Sequence, residues 1–177
     1  MSLNYVGSRN GASRNIMGPI LINGTDTVAV GEVVEVYTNG KATNGVAATP
    51  LKGVVISITD ANGLPQLKGS NTAGSTNSTD TNSITASGND YVMVDASPQS
   101  IYSAAVSGTI GTTANSDLMG ARIDIDSANT NYDQLLESTA TRTIGTPANF
   151  YIHNVDPNDS TRLHVSLAMS EEVSVGE

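Results

Sequence analysis

The sequence predicts an all-β protein: a single compact antiparallel β-barrel or β-sandwich with a long polar loop and an extended N-terminal arm. Three observations predict it. Five Asn-Gly steps (Asn10-Gly11, Asn23-Gly24, Asn39-Gly40, Asn44-Gly45 and Asn62-Gly63) punctuate the first 63 residues. Both residues tolerate the positive φ of a tight hairpin turn, so the dipeptide between apolar runs is the strongest short-range hairpin signal. The runs between the steps are short, Val/Ile-rich and alternating, the period of a strand. Only Asn131–Ser138 has any helical character, and it is too short to be stable alone.

Residues 1–18 are polar and rich in Gly, Asn and Ser, with Arg9 and Arg14 as their only charges. They read as an arm, disordered alone or ordered against a neighbour. Residues 19–169 form the expected β domain. Its first strands are Thr27–Val30, Glu32–Tyr37 (Val34 and Val36 on one face) and a short one near Lys41–Thr43. Leu51–Thr59 is the clearest, with Val54, Ile56 and Ile58 expected in the core and Val55, Ser57 and Thr59 on the half-exposed face.

Residues 69–90 are a Ser/Thr/Asn tract with one apolar anchor, Ile84. This predicts a long exposed excursion that holds at most one edge strand. It is also the one plausible boundary between two β lobes. Strands resume at Tyr91–Asp95, Ile101–Val106 and Ala121–Asp126, the last with Ile123 and Ile125 inward and Arg122, Asp124 and Asp126 outward. Thr141–Ile144 is a further candidate. The best hairpin of the second half joins Phe150–Val155 to Thr161–Leu167 through Asp156-Pro157-Asn158-Asp159. There Leu163, Val165 and Leu167 face the core, and Arg162, His164 and Ser166 face solvent. Residues 170–177 carry three glutamates and form an acidic tail.

Composition bounds the function. Charged residues make up 14%, and Ser, Thr and Asn supply 57 of the 177 residues. A neutral hydrogen-bonding coat of this kind suits a protein that packs against other proteins, although abundant loops produce the same bias. Eight basic residues scattered through a chain of net charge −9 make no phosphate-binding patch, so nucleic acid is not an expected partner. No apolar run approaches the length of a membrane span, and residues 1–18 lack the apolar centre of a signal peptide. The absence of cysteine excludes disulfides, thiolate zinc and thiol catalysis.

Candidate chemistry is sparse, and no cofactor is expected. Asp124 and Asp126 lie two apart on a strand, so their carboxylates project from one face and are weak candidates for a Ca²⁺ or Mg²⁺ site; a solvated strand face is the simpler reading. His153 and His164 sit close to paired on the last hairpin, but a two-His metal site needs a third ligand and none is evident. There is no Gly-x-Ser-x-Gly elbow, phosphate loop or dinucleotide fingerprint. Chance accounts for the three Asn-x-Ser/Thr sequons, at Asn23, Asn77 and Asn158.

One pattern is familiar. Val30-Gly31-Glu32-Val33-Val34-Glu35-Val36 is followed by Gly45-Val46-Ala47-Ala48-Thr49-Pro50-Leu51-Lys52-Gly53-Val54-Val55. This resembles the small β-rich capsid decoration (cement) proteins of tailed bacteriophages. The segments Met119–Asp126, Phe150 and Asp156–Arg162 look like structural proteins encoded beside phage head genes. The resemblance covers residues 27–65 and 118–171 and leaves the tract at 69–90 outside. It implies a non-enzymatic virion protein, assembled in the host bacterial cytoplasm, that binds the outer capsid and stabilises the head by bridging neighbouring major capsid subunits. It also implies a homo-oligomer, with a trimer as one possibility. On this reading the arm meets the capsid through Arg9, Arg14, Asn15 and Ile16. Two other readings stay open: another virion part (head fibre base, neck, tail or receptor-binding β module), and a hydrolase built on the acidic strand face.

Overall fold

Short Val/Ile runs and Gly-marked turns build strands, and among the described residues the one named helical element is a single 3-10 turn at Arg9–Gly11. In the computed structural model the chain forms twelve strands among the residues that the structure describes: 3–24, 26–36, 39–45, 51–60, 62–65, 83–85, 88–107, 118–126, 135–137 and 149–168. They are β1 (Asn4–Ser8), β2 (Ile16–Leu21), β3 (Thr27–Ala29), β4 (Val33–Val36), β5 (Ala42–Asn44), β6 (Gly53–Thr59), β7 (Ser83–Thr85), β8 (Tyr91–Asp95), β9 (Ser100–Ala105), β10 (Arg122–Ile123), β11 (Phe150–Asp156) and β12 (Asp159–Leu167). Two antiparallel five-stranded sheets stack as an open sandwich. Sheet one runs β1-β9-β12-β11-β10 and sheet two runs β2-β8-β6-β4-β5, with β3 and β7 paired separately. Among the described residues no helix is long and apolar enough to cross a membrane.

Sheet two is local in sequence, and so is sheet one apart from β1. The chain therefore passes between the sheets twice, from β1 to β2 and from β8 to β9. The tract expected as a lobe boundary lies between β6 and β8, inside sheet two, and most of it falls outside the described residues. The lobes meet at residues 96–99 instead. Thr141–Ile144 and the acidic tail also lie outside the described residues.

Residues 3–18 are not a separate arm. Leu3 is buried in the main core and β1 pairs with β9, while β2 pairs with β8. The polar sequence of β1 and the Gly18-Pro19 step in β2 hid both strands, because edge strands tolerate polar residues and proline where central strands do not. Gly18 and Gly53 mark close approaches. A Cβ at Gly18 would stand 2.7 Å from the Val92 carbonyl oxygen, and one at Gly53 2.7 Å from that of Asp95.

Sheet two is buried on both faces. Val33 and Val54 join the inter-sheet core with Tyr102, Phe150, Ile152, Leu163 and Val165, whereas Val34, Val55, Ile58, Val92 and Val94 form a second core with Ile22, Val28 and Ala42. The expected shared face of Val54, Ile56 and Ile58 is therefore corrected. The pairing of β6 with β8 shifts between Val55 and Ser57, so Val55 and Ile58 fall on the same side and Ile56 is half-buried.

Four of the five Asn-Gly steps occupy turns. Asn10-Gly11 has positive φ at both residues, and Gly24, Gly40 and Gly63 take positive φ after their asparagines. Asn44-Gly45 instead continues β5, where the Gly45 amide donates to the Val33 carbonyl. Leu136, expected in a helical segment, forms bridges to Val106 and Ile125 and is buried. Residues 131–134 and 138 of that segment lie outside the described residues.

Candidate functional site

The two crossings lie side by side and hold a densely bonded polar group. Asp95 ends β8 with its side chain fully buried. Its Oδ2 accepts hydrogen bonds from Arg14 Nε, Ser100 Oγ and Tyr102 OH, each at 2.7 Å, and its Oδ1 accepts from the Ser97 amide at 3.0 Å. Arg14 belongs to the first crossing and Asp95 to the second. Two backbone bonds reinforce the tie: Ala96 N–H donates to the Asn15 carbonyl, and Arg9 N–H to the Gln99 carbonyl, both at 2.8 Å.

The charges at this node are fixed. Burial alone would raise the Asp95 pKa, but the bonds from Arg14, Ser100, Tyr102 and the Ser97 amide outweigh it and hold the carboxyl below its usual range. Burial, then the bond to Asp95, pushes the Tyr102 phenol well above its ordinary value. Burial works to lower Arg14, yet its bond and attraction to Asp95 leave it raised. A carboxylate that accepts from four donors, one of them charged, acts as a cross-link between the two crossings.

Above the node lies a rim that spans both sheets. The Arg14 guanidinium carbon sits 4.4 Å from the Tyr5 ring centre, and Tyr5 meets Tyr102 edge-on at 6.0 Å. A cleft of about 380 Å³ opens beside them, lined by Tyr5, Arg14, Val30, Val54, Ile56 and Tyr102 among others. Tyr5, Val6 and Ile16, on the two strands that the first crossing joins, are 43%, 52% and 42% exposed; the other exposed large apolar side chains among the described residues are Leu64 and Met119.

The four expected contact residues lie in or beside the first crossing and are divided by exposure. Arg9, Asn15 and Ile16 are exposed, whereas Arg14 is bound to Asp95 and only partly open to solvent. Asp95, Ser100 and Tyr102 were missed as partners. No local pattern pointed to them, since Arg14 and Asp95 lie 81 residues apart in the chain.

The other candidates do not converge. Asp124, expected on the exposed strand face, is buried, and its Oδ1 accepts from the Ile125 amide and from Asn149 Nδ2 at 2.6 Å. Its backbone carbonyl accepts from the Glu137 amide, and the Asp126 amide donates to the Leu135 carbonyl. Burial, then Asp124 and Asp126, raises the Glu137 pKa. Among the described residues no group of three or more His, Asp or Glu side chains is placed to hold a metal ion. The histidine register is off by one, because His164 pairs with Asn154 and His153 occupies a bulge, bonded to Ser166 Oγ. Ser166, expected to face solvent, is buried there.

No protein-family model matches the chain, and neither a curated protein nor a solved structure matches it.

Proposed function

We propose that this protein is a structural component of a virion that binds the outer surface of a phage head and stabilises it by bridging neighbouring major capsid subunits. The observation that supports this most is the rim. Tyr5, Val6 and Ile16 are exposed on the strands that flank the first crossing, with Arg9 and Asn15 exposed within it, and Arg14 of that crossing is bonded to a buried carboxylate. A rigid, largely uncharged, partly apolar surface is suited to protein contact, since it has little entropy to lose on docking. The Ser/Thr/Asn-rich composition favours the same role.

The contact set is Arg9, Asn15 and Ile16, with Tyr5 and Val6 beside them. Arg14 is a foundation residue, its charge balanced by Asp95. A trimer remains compatible with the resemblance but has no support in the residues of the rim.

The test is co-sedimentation with expanded phage capsids that lack the protein. Saturable binding at a fixed number of copies per capsomer is expected, weakened about ten-fold or more by Ile16→Asp with Arg9→Glu. Truncation of residues 1–18 is unsuitable, because it removes β1, the first half of β2 and buried Leu3. Failure to bind any capsid form overturns the proposal, and binding to tails or necks instead establishes the other virion reading.

A further inference from the structure

The five Asn-Gly steps read alike in the sequence, and the folded chain treats each of them differently. Asn-Gly is also the step at which asparagine most readily loses its side-chain amide, because no glycine side chain hinders attack of the next backbone nitrogen on Cγ. Three conditions govern that attack. The glycine amide must be free to give up its proton, Cγ must be able to reach the nitrogen, and no negative charge should oppose the anion that forms.

Four steps fail at least one condition. At Asn44 the Gly45 amide is buried and donates to the Val33 carbonyl at 3.0 Å. At Asn62 the Gly63 amide donates to the Asp60 carbonyl at 3.0 Å, and the Asp60 carboxylate holds the same turn by accepting from the Asn62 and Leu64 amides. At Asn23 the side-chain Nδ2 donates to the Asp26 carboxylate at 3.4 Å, which sets a negative charge where another would develop. At Asn10 the obstacle is geometric. The ring closes only when Cβ and the glycine nitrogen eclipse each other about the Cα–C bond, and the Asn10 ψ of 26° sets them almost opposite. Bonds from the Ala12 amide to the Arg9 carbonyl and from the Arg9 amide to the Gln99 carbonyl hold that turn in place.

Asn39-Gly40, in the turn from β4 to β5, has none of these obstacles. Both residues are exposed, and no described residue accepts from the Gly40 amide. Asn39 Oδ1 accepts from the Lys41 amide at 3.0 Å. This bond acts in the opposite sense to the one at Asn23. It closes a ring that includes the Gly40 nitrogen, which keeps Cγ beside the peptide that attacks it. An N–H on Oδ1 also draws electron density from Cγ and stabilises the oxyanion as the nitrogen adds. The residue that follows is a lysine, not a carboxylate. Space for the peptide to swing exists, since a Cβ at Gly40 would meet nothing within 4 Å.

We propose that Asn39 is a site of spontaneous deamidation, the first of the five steps to react in the folded protein. The Gly40 nitrogen loses its proton to solvent base and bonds to Cγ. The bond from Cγ to the side-chain nitrogen breaks, and ammonia leaves with a proton from water. Water then opens the five-membered imide. Cleavage between Cγ and the Gly40 nitrogen leaves an aspartate, and cleavage at the main-chain carbonyl leaves an isoaspartate. The aspartate keeps the turn, because its carboxylate accepts the Lys41 N–H as a charge-assisted bond. The isoaspartate adds a methylene to the main chain just before the pairing of Val36 with Ala42. Either product adds one negative charge to a chain of net charge −9. β5 is the edge of sheet two opposite β2, so the change leaves Arg9, Asn15 and Ile16 as they are and stands independently of the capsid proposal.

The test needs only the unaltered chain. The folded protein is aged at mildly alkaline pH, and its peptides are mapped by mass for exchange of the side-chain NH2 for OH at all five steps. Asn39 is expected to react first, about ten-fold faster than Asn44 and Asn62, the worth of a glycine amide bond that those two must break. The same ageing in urea is expected to bring the five rates together, because the residues of each step are identical. Isoaspartate is expected at position 39 alongside aspartate. A folded-state rate at Asn39 no greater than at the other steps overturns the proposal. So does an order that persists in urea, which would assign the difference to local sequence, or aspartate alone at position 39, which would mean direct hydrolysis without the imide.

Discussion

Asp95 and Glu137 are both carboxylates set against the interior, and their surroundings push them in opposite directions. Around Asp95 four donors converge and one carries a positive charge, so the ionised form is held. Around Glu137, burial and the charges of Asp124 and Asp126 disfavour ionisation. The first cluster ties two crossings of the chain together, and the second stores repulsion at the far edge of sheet one. Donors, more than burial, decide which carboxylate cluster stabilises a fold.

The largest expected effect comes from the node. Asp95→Ala leaves Arg14, Ser100 and Tyr102 without their acceptor, and loss of one partner from a buried pair costs about 3–5 kcal/mol. Because Arg14 is 32% exposed, water recovers part of that, and about 3 kcal/mol is expected in urea unfolding at neutral pH. The acid limb carries the same signature. Asp95 has its pKa lowered in the folded protein, so its contribution is complete above its unfolded value, near pH 4, and is lost as pH falls through the folded value. The variant lacks that loss.

Tyr102→Phe keeps the ring and removes one bond to a charged acceptor, for about 1.5–2 kcal/mol. The sign at high pH is distinctive. The folded phenol is raised, so its stabilisation is complete below the unfolded value, about pH 10, and declines as pH rises beyond it. Tyr102→Phe should flatten that decline in an unfolding series. A variant that keeps it would separate Tyr102 from the node.

The smallest effect belongs to the acidic corner. Glu137 is raised, so its contribution is complete below its unfolded value, near pH 4, and is lost as pH rises through the folded value. Asp126→Asn removes the lesser of two repulsive neighbours. The Glu137 carboxyl, followed by NMR, should titrate slightly lower in the variant. An unchanged midpoint would mean that burial and Asp124 account for the whole shift.

The same contrast shows what the sequence can reveal. β8 was legible to the residue, and β12 was legible in its core face, because alternating Val, Ile and Leu encode burial locally. β1 and β2 were not, because their pairing supplies what their composition lacks. β6 was legible as a strand, but its bulge changed which side chains share a face. At the site, Arg9, Asn15 and Ile16 lie exposed in one segment. The role of Arg14 was hidden, since its partner lies 81 residues away and nothing local distinguishes Asp95 from the carboxylates of Asp124 and Asp126. Asp124 was misplaced for a related reason: alternation put it outside, but Asn149 and the segment at 135–137 cover it.

The central claim is that a bond between the two crossings fixes one sheet on the other. A double-mutant cycle tests it most directly, with unfolding free energies measured for the unaltered chain, Arg14→Ala, Asp95→Ala and the pair. A coupling of about 1 kcal/mol or more, with the double variant little worse than Asp95→Ala alone, is the predicted result. Additive losses would contradict the account and reduce Arg14 to a surface charge beside an independently buried aspartate.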